Sequence, residues 1–266
     1  MKSYKQFIKE HNSFDIVEYD EYKHNDDEYA DDVQDEDIIS DVFEDIKKNC
    51  QEYLNMLQID GKILWRGMDI DKDIDIITPL KDRKPKDSPE LIQNILDDLF
   101  EEKFGIRPRS QGTFAFQTES RFKQYGPEYM IFPFDGFKYV WSYDVVDFYT
   151  TLKNMIGYTG IEYLKLYDIN DDEMLIDYYN KTQSRMLNED DISNLDEWKK
   201  NMSLDNIKEK LKKIVEDYQD TDLDYLLKKG TNDKEVCIVC DKYYAIYEDY
   251  KYLVFDKIKE YITTKK

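Results

Sequence analysis

Histidine is almost missing from this chain of 266 residues: only His11 and His24 occur, both near the N-terminal end, so a histidine-based nucleophilic triad is excluded. There is also no Gly-rich phosphate loop, no G-x-S-x-G elbow and no H-E-x-x-H helix. Three cysteines, Cys50, Cys237 and Cys240, are too few for a disulfide scaffold and fit a reducing compartment. The C-I-V-C pair reads as part of an apolar strand, since a four-ligand zinc site would need two more ligands from Cys50, His11 and His24. Nine Gly and six Pro exclude collagen-like and low-complexity classes. No apolar run approaches the roughly 18 residues of a membrane-spanning helix, and no secretory h-region opens the chain, so a soluble protein without a membrane partner is expected.

Positive charge is the other shortage. With 38 Lys+Arg against 59 Asp+Glu, the formal charge is −21, which disfavours a nucleic-acid partner because phosphate binding rests on Lys and Arg. The charge is uneven. Twelve carboxylates and only Lys23 lie between Asp15 and Asp37, where apolar residues are too sparse to pack. Residues 11–37 therefore read as an acidic flexible linker, a solvated spacer in preference to a DNA-mimicking surface. Hydrophobic residues at 41% and aromatics at 15% are enough for a substantial core in the remainder, 38–266.

The apolar spacing of Ile39, Val42, Phe43, Ile46, Cys50, Tyr53, Leu54 and Leu57 predicts one amphipathic helix from about 38 to 57. Lys62–Gly67 reads as a strand. A second helix is expected with Ser88 as its cap, Pro89 in the first helical position, an apolar face of Leu91, Ile92, Ile95, Leu96, Leu99 and Phe100, and Gly105 as its stop. Gly112–Gln117 alternates as a strand, a short helix is expected over Ser120–Tyr125, and Tyr129–Phe132 with Phe137–Trp141 read as a strand pair joined across Pro133–Gly136. From about 145 to 227 a helical insertion is expected, its clearest helix capped by Ser203 and carrying Ile207, Leu211, Ile214, Val215 and Tyr218. The chain returns to strand at Glu235–Cys240 and Tyr243–Tyr247. The fold class is α+β.

Three places carry chemistry. Arg66, followed by Gly67 at the end of an apolar strand, presents a guanidinium that can fork onto a phosphate or a carboxylate, or form a structural salt bridge. The segment Arg107–Thr118 sets Arg107, Arg109, Ser110 and Thr113 before a strand and Thr118 after it. Glu235, behind Asp233 and Lys234, heads a buried strand, where a carboxylate can orient a ribose hydroxyl and stabilise an oxocarbenium-like cation.

In this order, arginine on an early strand, hydroxyl-bearing strand, then glutamate on a late strand, the chain resembles the ADP-ribosyltransferase superfamily over about Ile63–Ile246. The resemblance implies a split β-sheet core with flanking helices and NAD as substrate, with no permanently bound cofactor and no metal. It implies that Arg66, with Gly67 beside it, holds an NAD phosphate or the nicotinamide ribose, that Glu235 supports the cation as nicotinamide leaves, and that Thr113 or Thr118 stands in the hydroxyl position. Tyr125 or Tyr129 would stack on the nicotinamide ring. Thr113-Phe-Ala115 replaces the family's Ser-Thr-Ser, and Asp233 precedes the glutamate by two, which leaves the acceptor side chain open.

Met1–Glu10 resembles the capsid-targeting leader of T-even-type phage internal head proteins, with Ile8-Lys9-Glu10 matching the prohead-protease site and cleavage after Glu10. Together the two resemblances imply a phage-encoded mono-ADP-ribosyltransferase packaged in the virion head with head components, released into the host cytoplasm and acting on a host protein. The alternative is an inactive transferase-like acidic virion protein that inhibits a host defence or nucleic-acid enzyme.

Overall fold

The computed structural model describes residues 28–84, 88–118, 126–155, 204–229 and 234–265. The expected leader with Glu10, the short helix over 120–125 with Tyr125, Ser203 and most of the insertion lie outside these residues. The chain divides into a unit Met1–Asp37 and a unit Ile38–Lys266, and both sheets belong to the second.

The first helix, α1, runs Glu28–Asn49, so the last part of the stretch read as flexible linker is helical. Ile39, Phe43 and Ile46 repeat at three and four residues and are buried, which gives the helix its tertiary anchor. The single helix expected to 57 is broken at Cys50, whose φ of −130° and ψ of 33° leave helical geometry before α2, Gln51–Met56. Cys50 is buried there and its thiol donates to the Phe132 carbonyl at 3.5 Å. The strand β1 is only Trp65–Gly67, shorter than the sequence suggested, and β2 is Ile74–Ile77.

The next helix, α3, spans Glu90–Phe104 and stops at Gly105, where φ of 67° suits glycine. Pro89, not Ser88, occupies the N-cap in an extended conformation and no side chain caps the helix, so both sequence assignments move by one residue. Ile92, Ile95, Leu96 and Phe100 are buried as expected, joined by the polar Gln93 and Asp97. Asp97 accepts the Arg109 N–H at 2.7 Å and the Ser110 N–H at 2.9 Å, fixing α4, Pro108–Gln111, against α3.

The remaining elements are β3 (Thr113–Ala115), β4 (Glu128–Pro133), β5 (Lys138–Ser142), α5 (described over 148–155), α6 (Leu204–Glu216), β6 (Tyr218–Gln219), α7 (Leu223–Lys229), β7 (Val236–Val239), β8 (Tyr243–Tyr247) and α8 (Lys251–Thr264). They form two antiparallel four-stranded sheets, ordered β1-β4-β8-β2 and β3-β7-β5-β6. The fold is α+β.

β4 and β5 are not the expected hairpin: β4 pairs with β1 and β8, whereas β5 pairs with β7 and β6. Residues 134–137 instead carry the chain from the first sheet to the second, and 240–242 carry it back between β7 and β8. These crossings touch, because the Phe134 N–H donates to the Lys242 carbonyl at 3.0 Å. Tyr218 lies on β6 rather than on the α6 face, so the region read as a helical insertion also completes the second sheet.

The core is correspondingly double. One cluster fills the space between the first sheet, α1, α2, α7, α8 and one face of the second sheet, with Trp65, Phe132, Trp141, Val236, Ile238 and Ile246 buried. The other lies on the opposite face, where Val140 and Cys237 meet Ile92, Leu96, Phe100, Phe148, Leu152, Ile207 and Leu211. Among the described residues, no helix is long and apolar enough to cross a membrane.

Candidate functional site

Strand alternation decides what β3 and β7 present to each core. Thr113 pairs with Ile238, Phe114 with Cys237 and Ala115 with Val236, and successive side chains face opposite ways. Ala115, Val236 and Ile238 enter the first core, while Phe114 and Cys237 enter the second. Glu235, two residues before Cys237, shares its face with Phe114. Thr113 is turned to the other face and is almost fully buried.

Glu235 is held by its backbone, whose N–H donates to the Val146 carbonyl at 2.9 Å. Its side chain is 13% exposed and sits in a cage lined by Phe100, Arg109, Phe114, Phe148, Tyr218 and Cys237. The space within it is ≈ 10 Å³, about the room for one water. Arg109 Nη1 lies 3.8 Å from Glu235 Oε1, too long for a hydrogen bond but close enough for strong Coulomb attraction where water is scarce. Burial pushes the Glu235 carboxyl up from 4.5 to about 7, against the pull of Arg109, the Phe148 N–H and Arg83, while Asp147 adds to the upward shift. Burial, with the Glu235 charge next, likewise pushes the Tyr218 hydroxyl and the Cys237 thiol far upward.

Arg83 and Arg109 are the residues that sequence reasoning left without a role. Their guanidinium carbons lie 4.5 and 4.6 Å from the Phe114 ring centroid, and Arg109 is also 4.8 Å from that of Phe148. Arg83 is anchored by its N–H to the Ser110 carbonyl at 2.9 Å and by Nη2 to the Arg109 carbonyl at 3.0 Å. Its ionisation is depressed first by burial and then by the like charges of Arg109 and Arg66. Three of the six arginines in the sequence therefore feel one another around Phe114 and Glu235. The scarcity of arginine beside lysine was the available signal: a fork-shaped, always charged group is chosen where a planar anion is to be met.

Arg66 on β1 donates through Nη1 to the Phe114 carbonyl at 2.8 Å, and its Nε is buried without a hydrogen-bond partner. Its side chain and that of Thr113 both reach the Tyr243 hydroxyl on β8, which donates to Met68 Sδ at 3.3 Å. The expected residues thus meet in two groups. Arg66 joins Thr113 through Tyr243 at the junction of the sheets, and it reaches the Glu235 cage through the Phe114 carbonyl and the charge of Arg83. The hydroxyl role expected of Thr113 does not face Glu235, because the two alternate to opposite sides of the β3–β7 pair.

Gly67 is buried opposite Glu128 in the β1–β4 ladder. Tyr129 is also core, its hydroxyl donating to the Ile70 carbonyl at 3.2 Å and its ring 5.5 Å from that of Tyr247. Thr118 lines a separate cleft that shares no residue with the Glu235 cage. Residues 237–239 of the C-I-V-C segment are strand, with Cys237 buried, and no group of three or more His, Cys, Asp or Glu able to hold a metal occurs among the described residues. Gly112 is required by close approach: a Cβ there would lie 2.2 Å from Cys237 Sγ and 2.3 Å from the Pro108 carbonyl oxygen.

The arrangement is a buried carboxylate pushed up to about 7, walled by aromatic rings and neighboured by the guanidinium groups of Arg109 and Arg83. Chemically it can take an anion on the arginines and stabilise a developing cation on the carboxylate. No family model, no curated protein and no solved structure matches this chain.

Proposed function

We propose that the chain is a mono-ADP-ribosyltransferase that uses NAD to modify a host protein. The observation that supports this most is the placement of Glu235 at the head of β7, in a water-poor cage coupled by charge to Arg109 and Arg83, with Arg66 coupled in turn to Arg83. In this reading the guanidinium groups of Arg66 and Arg83 take the doubly anionic pyrophosphate, and Arg109 releases Glu235 as the ribose enters. The ionised Glu235 orients a ribose hydroxyl and stabilises positive charge on C1′. The C1′–N bond breaks, nicotinamide leaves with the bonding electrons, and an acceptor side chain on the target protein forms the new bond to C1′ and gives up its proton. Thr113 and Tyr129 have no part in the reaction; the likeness of Met1–Glu10 to a capsid leader supports delivery from a virion head.

The test is transfer of labelled ADP-ribose from NAD into a host lysate. Transfer should rise with pH through about 7, because only ionised Glu235 stabilises the cation. Equal, background-level labelling by wild type and Glu235→Gln would remove the proposal. In assembled particles the mature chain should begin at His11, as read by mass spectrometry.

One observation favours a second reading: the space in the Glu235 cage is only ≈ 10 Å³. In that reading the chain is an inactive transferase-like acidic protein that occupies a basic site on a host defence or nucleic-acid enzyme. Absence of any NAD-induced rise in melting temperature, well above a millimolar concentration, would select it.

A further inference from the structure

We propose that a second site, a cleft on the far side of β1 from the Arg66 guanidinium, binds a mononucleotide. The cleft has a volume of ≈ 410 Å³, within the range of small-ligand sites. Its walls come from the turn at 59–63, Trp65 on β1, Gln117 and Thr118 after β3, and Lys251 and Phe255 on α8. These walls are firmly placed. Trp65 and Phe116 exchange backbone hydrogen bonds of 2.7 and 2.9 Å, the Lys62 N–H donates to the Leu227 carbonyl at 2.8 Å, and Lys251 and Phe255 stand one helical turn apart on one face of α8.

The residue that points to a ligand is Gln117. It is 2% exposed, and both its Nε2 and its Oε1 are buried without a hydrogen-bond partner. An amide withdrawn from water at both ends is costly unless something meets it, and buried polar groups are ordinarily paired. It lines a cleft large enough for a partner. A carboxamide offers a donor and an acceptor side by side, the pattern that matches the edge of a nucleobase. The partly exposed Phe255 supplies aromatic wall for a planar ring, beside the buried Trp65. Among the described lining residues, Lys62 and Lys251 are cationic and Asp60 is the one carboxylate, and the Lys251 ammonium lies 5.9 Å from the Trp65 ring centroid. Base, aromatic wall and cations together fit a nucleoside monophosphate better than a neutral apolar molecule.

This site shares no lining residue with the Glu235 cage, so it stands whether or not the chain transfers ADP-ribose. The test is isothermal titration calorimetry of the full chain with AMP, GMP, CMP and UMP, with ribose 5-phosphate as the probe that lacks a base. At least one nucleotide should bind saturably with Kd below ~1 mM, and ribose 5-phosphate should bind at least ~10-fold more weakly. Gln117→Leu should weaken that nucleotide by ~10-fold or more without lowering the melting temperature, since it removes an unpaired amide. Lys62→Ser, at an exposed position that does not enter the core, should weaken it by ~3-fold or more in low salt. Glu235→Gln should bind it as wild type does. No saturable binding by any of the four up to ~10 mM, unchanged affinity in Gln117→Leu or in Lys62→Ser, or loss of binding in Glu235→Gln would each overturn the proposal.

Discussion

The two faces of the β3–β7 pair are built from adjacent residues yet obey different rules. On one face Ala115, Val236 and Ile238 meet Trp65, Trp141 and Ile246 in an apolar cluster. On the other, Phe114 and Cys237 share their surroundings with Glu235, Arg109 and Arg83. Apolar burial stabilises the fold directly, whereas burying a carboxylate and guanidinium groups costs free energy that the Coulomb attraction repays only in part. A face that keeps such groups where hydrocarbon would pack better is the face on which the proposed chemistry is placed.

The largest effect expected from this contrast is on activity. Glu235→Gln keeps the shape of the cage and removes the negative charge, so ADP-ribose transfer should fall by ~10²–10³-fold with NAD binding largely kept, as followed by label incorporation and NAD titration. On the opposite face, Ile238→Ala should cost roughly 2–5 kcal/mol of stability in chemical denaturation, by an amount that does not change with pH between 5 and 8. Glu235→Gln should behave oppositely in stability. The folded carboxyl titrates at about 7 against 4.5 for the ordinary group, so the protonated form favours folding and that contribution is lost as pH rises through 7. Relative to wild type, the Gln variant should therefore gain stability from pH 5 to pH 8, by on the order of 3 kcal/mol. A flat difference would mean that Glu235 is solvated. The smallest effect belongs to Arg83→Lys, which keeps charge but loses the planar fork over Phe114: KM for NAD should rise about tenfold with kcat little changed. An unchanged KM would remove Arg83 from the anion site.

Some of this is legible in local sequence pattern. The apolar spacing of α3 and its stop at Gly105 need only residues within the helix, and Glu235 stands out as a carboxylate at the start of an apolar strand. Local reading fails where distant partners decide. Residues 134–137 have the length and composition of a hairpin turn, but β4 finds β8 and β5 finds β7, both far along the chain, and their pairing overrides the local signal. Ser88 fails as a cap because Pro89 is extended, with ψ of 143°, which shifts the first helical turn by one residue. Of the cage, Glu235 is legible, and Arg109 only as one of several polar residues in Arg107–Thr118. Arg83 and Arg109 come from separate segments, and nothing in their neighbours announces that both lie over the ring of Phe114.

The strand order also bears on when this protein can become itself during synthesis. β8 is an inner strand of the first sheet and β7 an inner strand of the second, yet both fall within residues 236–247, late in the sequence. Until that segment leaves the ribosome, β2 has no neighbour, β3 lacks its ladder partner, and Glu235 has not met its arginines. A nascent chain that lacks this segment is therefore a set of helices and open strand edges without the Glu235 cage.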